Sequence, residues 1–304
     1  MPTAFSSIVD LAAADIHPLK GPFFEQAGVQ MDVLRLDKIH SIISGNKWFK
    51  IKHDLELAIV EQKPGIISFG GAYSNHLVAL AEACRVAGIR SAAIIRGEEP
   101  TARATTIEQL RSAGMELHFV SREQYQQKKQ LKELFEKTYA GFHWVDEGGR
   151  GENGIKGAAE ILELHQTNYY THFCCAIGTG TMMTGLLRAA QPNQTVVGIP
   201  VLKLGDEMNE LLGTIQQNAN ASYKIYPEFE EGGYAKKNDG LINFMNELYA
   251  DHNIPTDFVY TAKLFKAILA LIESRKIPKG SKLLLIHSGG LQGNRSLKAG
   301  TLSY

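Results

Sequence analysis

The chain has 304 residues, a length natural for two lobes or one large α/β domain, and its 44% hydrophobic and 21% charged residues describe an ordinary globular protein. Lys plus Arg equals Asp plus Glu at 32 each, so no net field draws nucleic acid or an anionic membrane, and any anionic ligand must be held by local geometry. Cys84, Cys174 and Cys175 form no CxxC pair and no disulfide framework, and the last two lie in an apolar run that reads as buried core.

Met1 to Phe5 shows no basic segment followed by an apolar one, so no signal peptide is expected. The uncharged run Gln166 to Leu187 carries too many Gly, Thr, His and Asn for a membrane span. These features predict a soluble, cytoplasmic protein. The first informative stretch is Ser41 to Lys52, where Lys47 follows Gly45-Asn46 at the start of a predicted helix anchored by Trp48, Phe49 and Ile51. Burial and the positive end of a helix both lower an amine's pKa, so an amine held there could form a Schiff base with an aldehyde. A solvated lysine is the plainer reading of this stretch taken alone.

Short apolar runs predict strands over 65–69, 91–95, 116–120 and 141–145, then 172–177, 195–199 and 282–286. Helical spacing between them predicts helices over 76–87, 103–112, 122–138, 156–165, 183–190 and 264–274. Strands each followed by a helix argue for α/β architecture with parallel sheets flanked by helices. The four early strands predict a smaller lobe over 48–155, and the later three a larger lobe from 1–47 and 156–304. A ligand is expected between lobes, beyond the carboxyl ends of the strands.

Four strand ends carry the chemistry. Gly70-Gly71 leads into Ser74-Asn75-His76 at a helix start, whose backbone N–H groups and partial positive charge suit a carboxylate; a plain helix cap is the alternative. Asp146 to Gly157 is glycine-rich, and Arg150 to Asn153 reads as a surface crossover. Gly178-Thr179-Gly180-Thr181 ends an apolar strand and opens a helix, forming a nest for one phosphate. It is neither a P-loop nor a dinucleotide fingerprint, because Leu186 follows Gly185 and no acid ends a strand about 20 residues on. Leu284 to Gly290 ends a buried strand in His287-Ser288-Gly289-Gly290, placing a hydroxyl at the sheet edge.

Taken in order, these motifs resemble the fold-type II pyridoxal-phosphate enzymes, each lobe of which is an open, mostly parallel sheet flanked by helices. Ser44 to Lys50, Gly70 to His76, Glu147-Gly148-Gly149 and Asp257 to Lys263 are similar to the 1-aminocyclopropane-1-carboxylate deaminase / D-cysteine desulfhydrase family, over about Leu36 to Gly290. The resemblance implies pyridoxal 5'-phosphate held by Lys47, its ring contacted by Asn75 and Ser288, and its phosphate held by Gly178, Thr179, Gly180 and Thr181. It further implies that Ser74, with Asn75 and His76, meets a small amino-acid substrate in a pocket lined by Tyr234 and Tyr260, with Lys47, Ser74 and both tyrosines catalytic. A homodimer is implied, and no metal is expected, since His118, His143 and His165 lack ligand spacing.

The implied activity is a lyase or deaminase reaction on a small amino acid. A racemase or dehydratase on the same fold, and a non-catalytic binder, are the alternatives. Deaminases of the cyclopropane acid resemble a pattern with Glu directly after the late Tyr, where this chain has Thr261, the feature of the desulfhydrase side. Tyr73, Leu77-Val78 and the two methionines after Thr181 also depart from the family pattern, marking a divergent branch.

Overall fold

The computed structural model describes residues 8–99, 105–202 and 207–304, with the side chains of 207–210 outside the description. The Met1–Phe5 stretch and the first two residues of the expected 103–112 helix lie outside the described residues. Ten strands are described: β1 (Ile16–Leu19), β2 (Gln30–Arg35), β3 (Gly65–Gly71), β4 (Arg90–Arg96), β5 (Glu116–Val120), β6 (His143–Val145), β7 (His172–Ile177), β8 (Thr195–Pro200), β9 (Ser222–Ile225) and β10 (Lys282–His287). They form a four-stranded sheet, β5-β4-β3-β6, and a six-stranded sheet, β1-β2-β10-β7-β8-β9. All neighbours pair in parallel except β1 with β2.

The chain divides into two compact units: described residues up to Asp10 with His40–Ile43 and Lys47–Gly157, and Leu11–Ile39 with Ser44–Asn46 and Ala158–Tyr304. The expected lobes ran over 48–155 and over 1–47 with 156–304; in the contact-defined units Lys47 groups with the four-stranded sheet and Asn46 with the six-stranded one.

In the first unit, alternate residues of β3 face two sides, as the period of a strand requires. Ile67 and Phe69 join Ala92 and Ile94 of β4 in a core closed by Tyr125, Leu131, Tyr139 and Phe142. In the second, the Thr261–Glu273 helix lays Leu264, Phe265, Ile268, Leu271 and Ile272 against Val33, Cys174, Val197 and Leu285 of the sheet. Each such side chain contributes about 1.5–3 kcal/mol by burial. Cys84, Cys174 and Cys175 are buried, and burial pushes the thiols of Cys84 and Cys174 up, which suits core packing and not nucleophilic chemistry.

The structure departs from the sequence-based expectations in particular places. The helix expected over 122–138 is two helices, Arg122–Gln126 and Lys128–Phe135, because Gln127 leaves helical geometry at φ −91°, ψ 51°. Arg150 to Asn153 is not a bare surface crossover: a helix starts at Glu152, and Asn153 Nδ2 donates to Asp54 Oδ1 at 2.7 Å beside His143. Gly157 lets that helix rest on the Asn46–Val60 helix, since a Cβ there would lie 1.8 Å from the Phe49 carbonyl oxygen.

Candidate active site

In the four-stranded unit, the end of β3 turns through Gly70 and Gly71 into the Asn75–Ala87 helix. A Cβ on Gly70 would crowd Leu77 Cδ1 at 2.7 Å and Ser74 Oγ at 2.9 Å, so glycine permits the tight approach. Ser74 is the N-cap: its Oγ accepts the Leu77 N–H at 3.2 Å, which occupies a lone pair and leaves the hydroxyl proton to another acceptor. Asn75 begins the helix, half-buried, and His76 is buried in its first turn.

His76 has a defined tautomer. Ser68 Oγ donates its single proton to the Val145 carbonyl at 2.7 Å and accepts from His76 Nε2 at 2.9 Å. His76 Nδ1 is then a bare acceptor, buried without a hydrogen-bond partner among the described residues. Burial first, and then the charges of Lys47 and Lys50, lower His76 to about 3, so its ring is neutral at physiological pH. The depressed value carries a stability consequence. Between pH 6.5 and 3 the unfolded chain binds a proton that the folded chain refuses, so stability present above 6.5 is lost as pH falls, by up to about 1.4 kcal/mol per pH unit. Urea midpoints measured across that window should fall less steeply in His76→Asn than in the wild type, and parallel slopes would contradict the assignment.

Lys47 lies in the first turn of the Asn46–Val60 helix, half-buried, with Trp48, Phe49, Lys50 and Ile51 buried around it. The residues immediately before it belong to the six-stranded unit. Gly45 has φ 71°, and a Cβ there would sit 1.9 Å from the Ser288 carbonyl oxygen. Asn46 N–H donates to that same oxygen at 3.2 Å, and Asn46 Nδ2 lies 3.2 Å from Met182 Sδ. The Asn46 side chain thus reaches the helix that follows the Gly/Thr loop.

That loop, 178–181, joins β7 to the Thr181–Ala189 helix. Gly180 has φ 80°, and a Cβ on it would lie 2.1 Å from Leu211 Cδ1. A Cβ on Gly178 would meet the Tyr260 ring at 3.3 Å. The Thr179 and Thr181 hydroxyl oxygens are 3.1 Å apart, and no side chain caps the helix N-terminus. Backbone N–H groups at such an end are donors that an anion can satisfy.

Ser288, buried, follows β10. The preceding His287 is fully buried, with Nε2 donating to the Pro255 carbonyl at 2.7 Å and Nδ1 3.2 Å from Asp37 Oδ1. Arg35 Nε and Nη2 donate to the two Asp37 oxygens at 2.8 and 2.7 Å. Burial alone would raise the Asp37 carboxyl, but His287 and Arg35 hold it below the usual carboxylate range. The β2–β10 pairing, which sets Arg35 opposite His287, therefore buttresses the Ser288 turn from behind.

Tyr260 is half-buried and Tyr234 exposed, with ring centroids 6.2 Å apart at 73°. Asp257 fixes Tyr260: its Oδ2 accepts the N–H groups of Val259 and Tyr260, and its Oδ1 those of Thr261 N and Oγ1, at 2.7–2.9 Å. Thr261 is fully buried and its Oγ1 also accepts from Asp257 N at 2.7 Å. The Thr261 side chain is thus spent on Asp257 in the turn that opens the helix, and offers nothing to a ligand. Asp257 had no role in the sequence reading; an Asp four residues before Thr at a helix start was the available signal. No group of three or more His, Cys, Asp or Glu among the described residues is arranged to hold a metal.

Comparison with known proteins places these features in a class. The family described as "Pyridoxal-phosphate dependent enzyme" matches residues 23–289, and the chain belongs to it. A Thermotoga maritima protein provisionally named 1-aminocyclopropane-1-carboxylate deaminase is 23% identical, with 88% of this chain and 91% of that protein covered. The mitochondrial bifunctional D-cysteine desulfhydrase/1-aminocyclopropane-1-carboxylate deaminase of Arabidopsis thaliana is 25% identical, with 88% and 73% covered. The crystal structure of an ACC deaminase homologue superposes with TM-score 0.77 at 20% identity, covering 97% of both chains. Within that family the chain is similar to proteins named for 1-aminocyclopropane-1-carboxylate deaminase and D-cysteine desulfhydrase activity, and it has the fold-type II architecture.

The residues fit the cofactor. The uncapped helix start at Thr181, with Gly178 and Gly180 where a Cβ would intrude on Tyr260 and Leu211, makes a donor-rich concavity of the kind a phosphate ester fills.

Proposed function

We propose that this pyridoxal-phosphate enzyme is a lyase that breaks down a small amino acid, with D-cysteine desulfhydrase-like β-elimination ahead of ring opening of the cyclopropane acid. Thr261 carries that choice: it puts no acidic side chain directly after Tyr260, and its own hydroxyl is buried against Asp257. Lys47 would hold the cofactor aldehyde, the 178–181 loop its phosphate, and Asn75 and Ser288 its ring. Bound there, the cofactor supplies the electron sink that makes an amino acid's Cα substituents labile.

The chain's own groups do the rest. Lys47 Nζ, in the first turn of its helix, would remove or return the substrate's α proton. The Ser74 hydroxyl and the N–H groups opening the Asn75–Ala87 helix hold the substrate carboxylate. Tyr260, oriented by Asp257, and Tyr234 line the side-chain end of the substrate. Ser288 offers the ring a neutral hydroxyl, which does not enforce ring protonation as a carboxylate would; that milder arrangement favours elimination at Cβ over prolonged carbanion chemistry. The reading extends, from the resemblance, to a cytoplasmic homodimer; no helix among the described residues is long and apolar enough to cross a membrane.

D-cysteine, 1-aminocyclopropane-1-carboxylate and D-serine, offered in turn, test the reading by the release of sulfide, 2-oxobutyrate or pyruvate. D-cysteine with one water should give pyruvate, ammonia and sulfide. Release of none of the three products from a cofactor-loaded protein would sink the lyase reading.

A further inference from the structure

Lys263 lies on the Thr261–Glu273 helix, three residues after Tyr260, and is fully buried. Its ammonium donates to two backbone carbonyls of one distant turn, Glu230 O at 3.0 Å and Gly233 O at 2.6 Å. Burial pushes its amine below the ordinary lysine value, against the pull of Glu231, Asp257 and Glu230. One helical turn on, Lys266 donates to Glu231 Oε1 at 2.6 Å, and Asn238 Nδ2 donates to the other Glu231 oxygen at 3.2 Å. Asn238 in turn caps the Asp239–His252 helix through Leu241 N at 2.8 Å.

The turn so fastened is strained. Glu231, Gly232, Gly233 and Ala235 have φ of 51°, 80°, 101° and 54°, and two of these residues are not glycine. Such backbone persists only where the surroundings over-determine it. Beyond the anchor the segment is solvent-exposed from Tyr234 to Gly240, so little apolar burial holds it. Burying an ammonium is costly unless its donors are satisfied, and here two of the three are met by the carbonyls of this one turn.

We propose that Lys263 is a positioning residue whose buried ammonium, with the Lys266–Glu231 pair beside it, clamps the 230–235 turn in the strained form that sets Tyr234 against Tyr260 for the substrate. The proposal rests on the reading of those tyrosines as substrate-lining groups. It implies that the cofactor is indifferent to the clamp while the amino acid is not.

Two readouts on the full-length, cofactor-loaded protein test it, and one is independent of activity. Trypsin cleavage after Lys236 or Lys237, followed by mass spectrometry, should be about tenfold faster in Lys263→Met, because the open form of the turn becomes more populated. With D-cysteine as probe, KM should rise about tenfold with kcat within about threefold, and the visible cofactor absorbance should stay unchanged. Wild-type cleavage rates in a folded, loaded Lys263→Met protein would overturn the proposal, as would a loss confined to kcat. If Lys263→Met does not fold, Glu231→Gln decides: about threefold faster cleavage supports the clamp, and an unchanged rate overturns it. A wild-type protein inactive on D-cysteine counts against the substrate reading alone, and the cleavage rates then decide the clamp.

Discussion

Replacing Lys47 by alanine is expected to lower kcat by at least about 10³-fold and to abolish the visible absorbance of lysine-bound cofactor, while leaving the fold intact. On the proposed roles both losses have one origin, since the same amine would bind the cofactor aldehyde and move the α proton. The fold should survive because Lys47 lies in the first turn of a helix anchored by Trp48, Phe49 and Ile51, and alanine is a better helix former there by only a few tenths of a kcal/mol. Circular dichroism and a urea midpoint near that of the wild type establish the second half of the expectation. A folded Lys47→Ala protein with wild-type turnover would remove the lysine from the mechanism.

Gly45→Ala is expected to be the most damaging small substitution near the site. Its residue adopts φ 71°, and the added methyl would sit 1.9 Å from the Ser288 carbonyl oxygen and 2.6 Å from Gly289 N, all backbone atoms that cannot swing aside. The left-handed conformation costs about 1–2 kcal/mol and the overpacking about 1–3 kcal/mol more, so a loss of about 3 kcal/mol is expected. Gly88→Ala is the matched control, for Gly88 also has φ 71° but a Cβ there meets nothing within 4 Å, and only the conformational part should be lost. Because Asn46 N–H bonds the same Ser288 oxygen, Gly45→Ala should also weaken cofactor retention, and Gly88→Ala should not. Equal destabilisation by the two substitutions would contradict the close approach of Gly45 to the Ser288 turn.

Much of the fold was legible because its buried parallel strands are continuous apolar runs, such as His172–Ile177 and Lys282–His287. The strands that escaped notice lack that signature. β1 and β9 are edges, one holding Pro18 and the other alternating exposed with half-buried residues. β2 is central, but Asp32 interrupts its apolar run; that carboxylate is buried and receives the Tyr170 hydroxyl at 2.8 Å from 138 residues away. Such a pairing has no local trace.

The candidate site divides in the same way. Ser74 and the 178–181 loop were readable because helix starts after glycine turns have a local grammar. The supports were not. Arg35, Asp37 and His287 meet only through the β2–β10 register, Lys263 reaches carbonyls some thirty residues away, and the His76 tautomer depends on Ser68 and Val145. Thr261 was noticed as a difference between branches, but its bond to Asp257, which removes it from contact with a ligand, required coordinates.

Lys47, among all the lysines, is the one proposed to carry the cofactor. Lys50 and Lys263 are buried more deeply than the half-buried Lys47, so that assignment has real competitors within the chain. Borohydride reduction of the cofactor-loaded protein, proteolysis and mass spectrometry of the peptides test it directly. The account predicts the pyridoxyl group on the peptide containing Lys47 and on no other; recovery of the label on Lys50, on Lys263 or on another lysine, or on none, would contradict it.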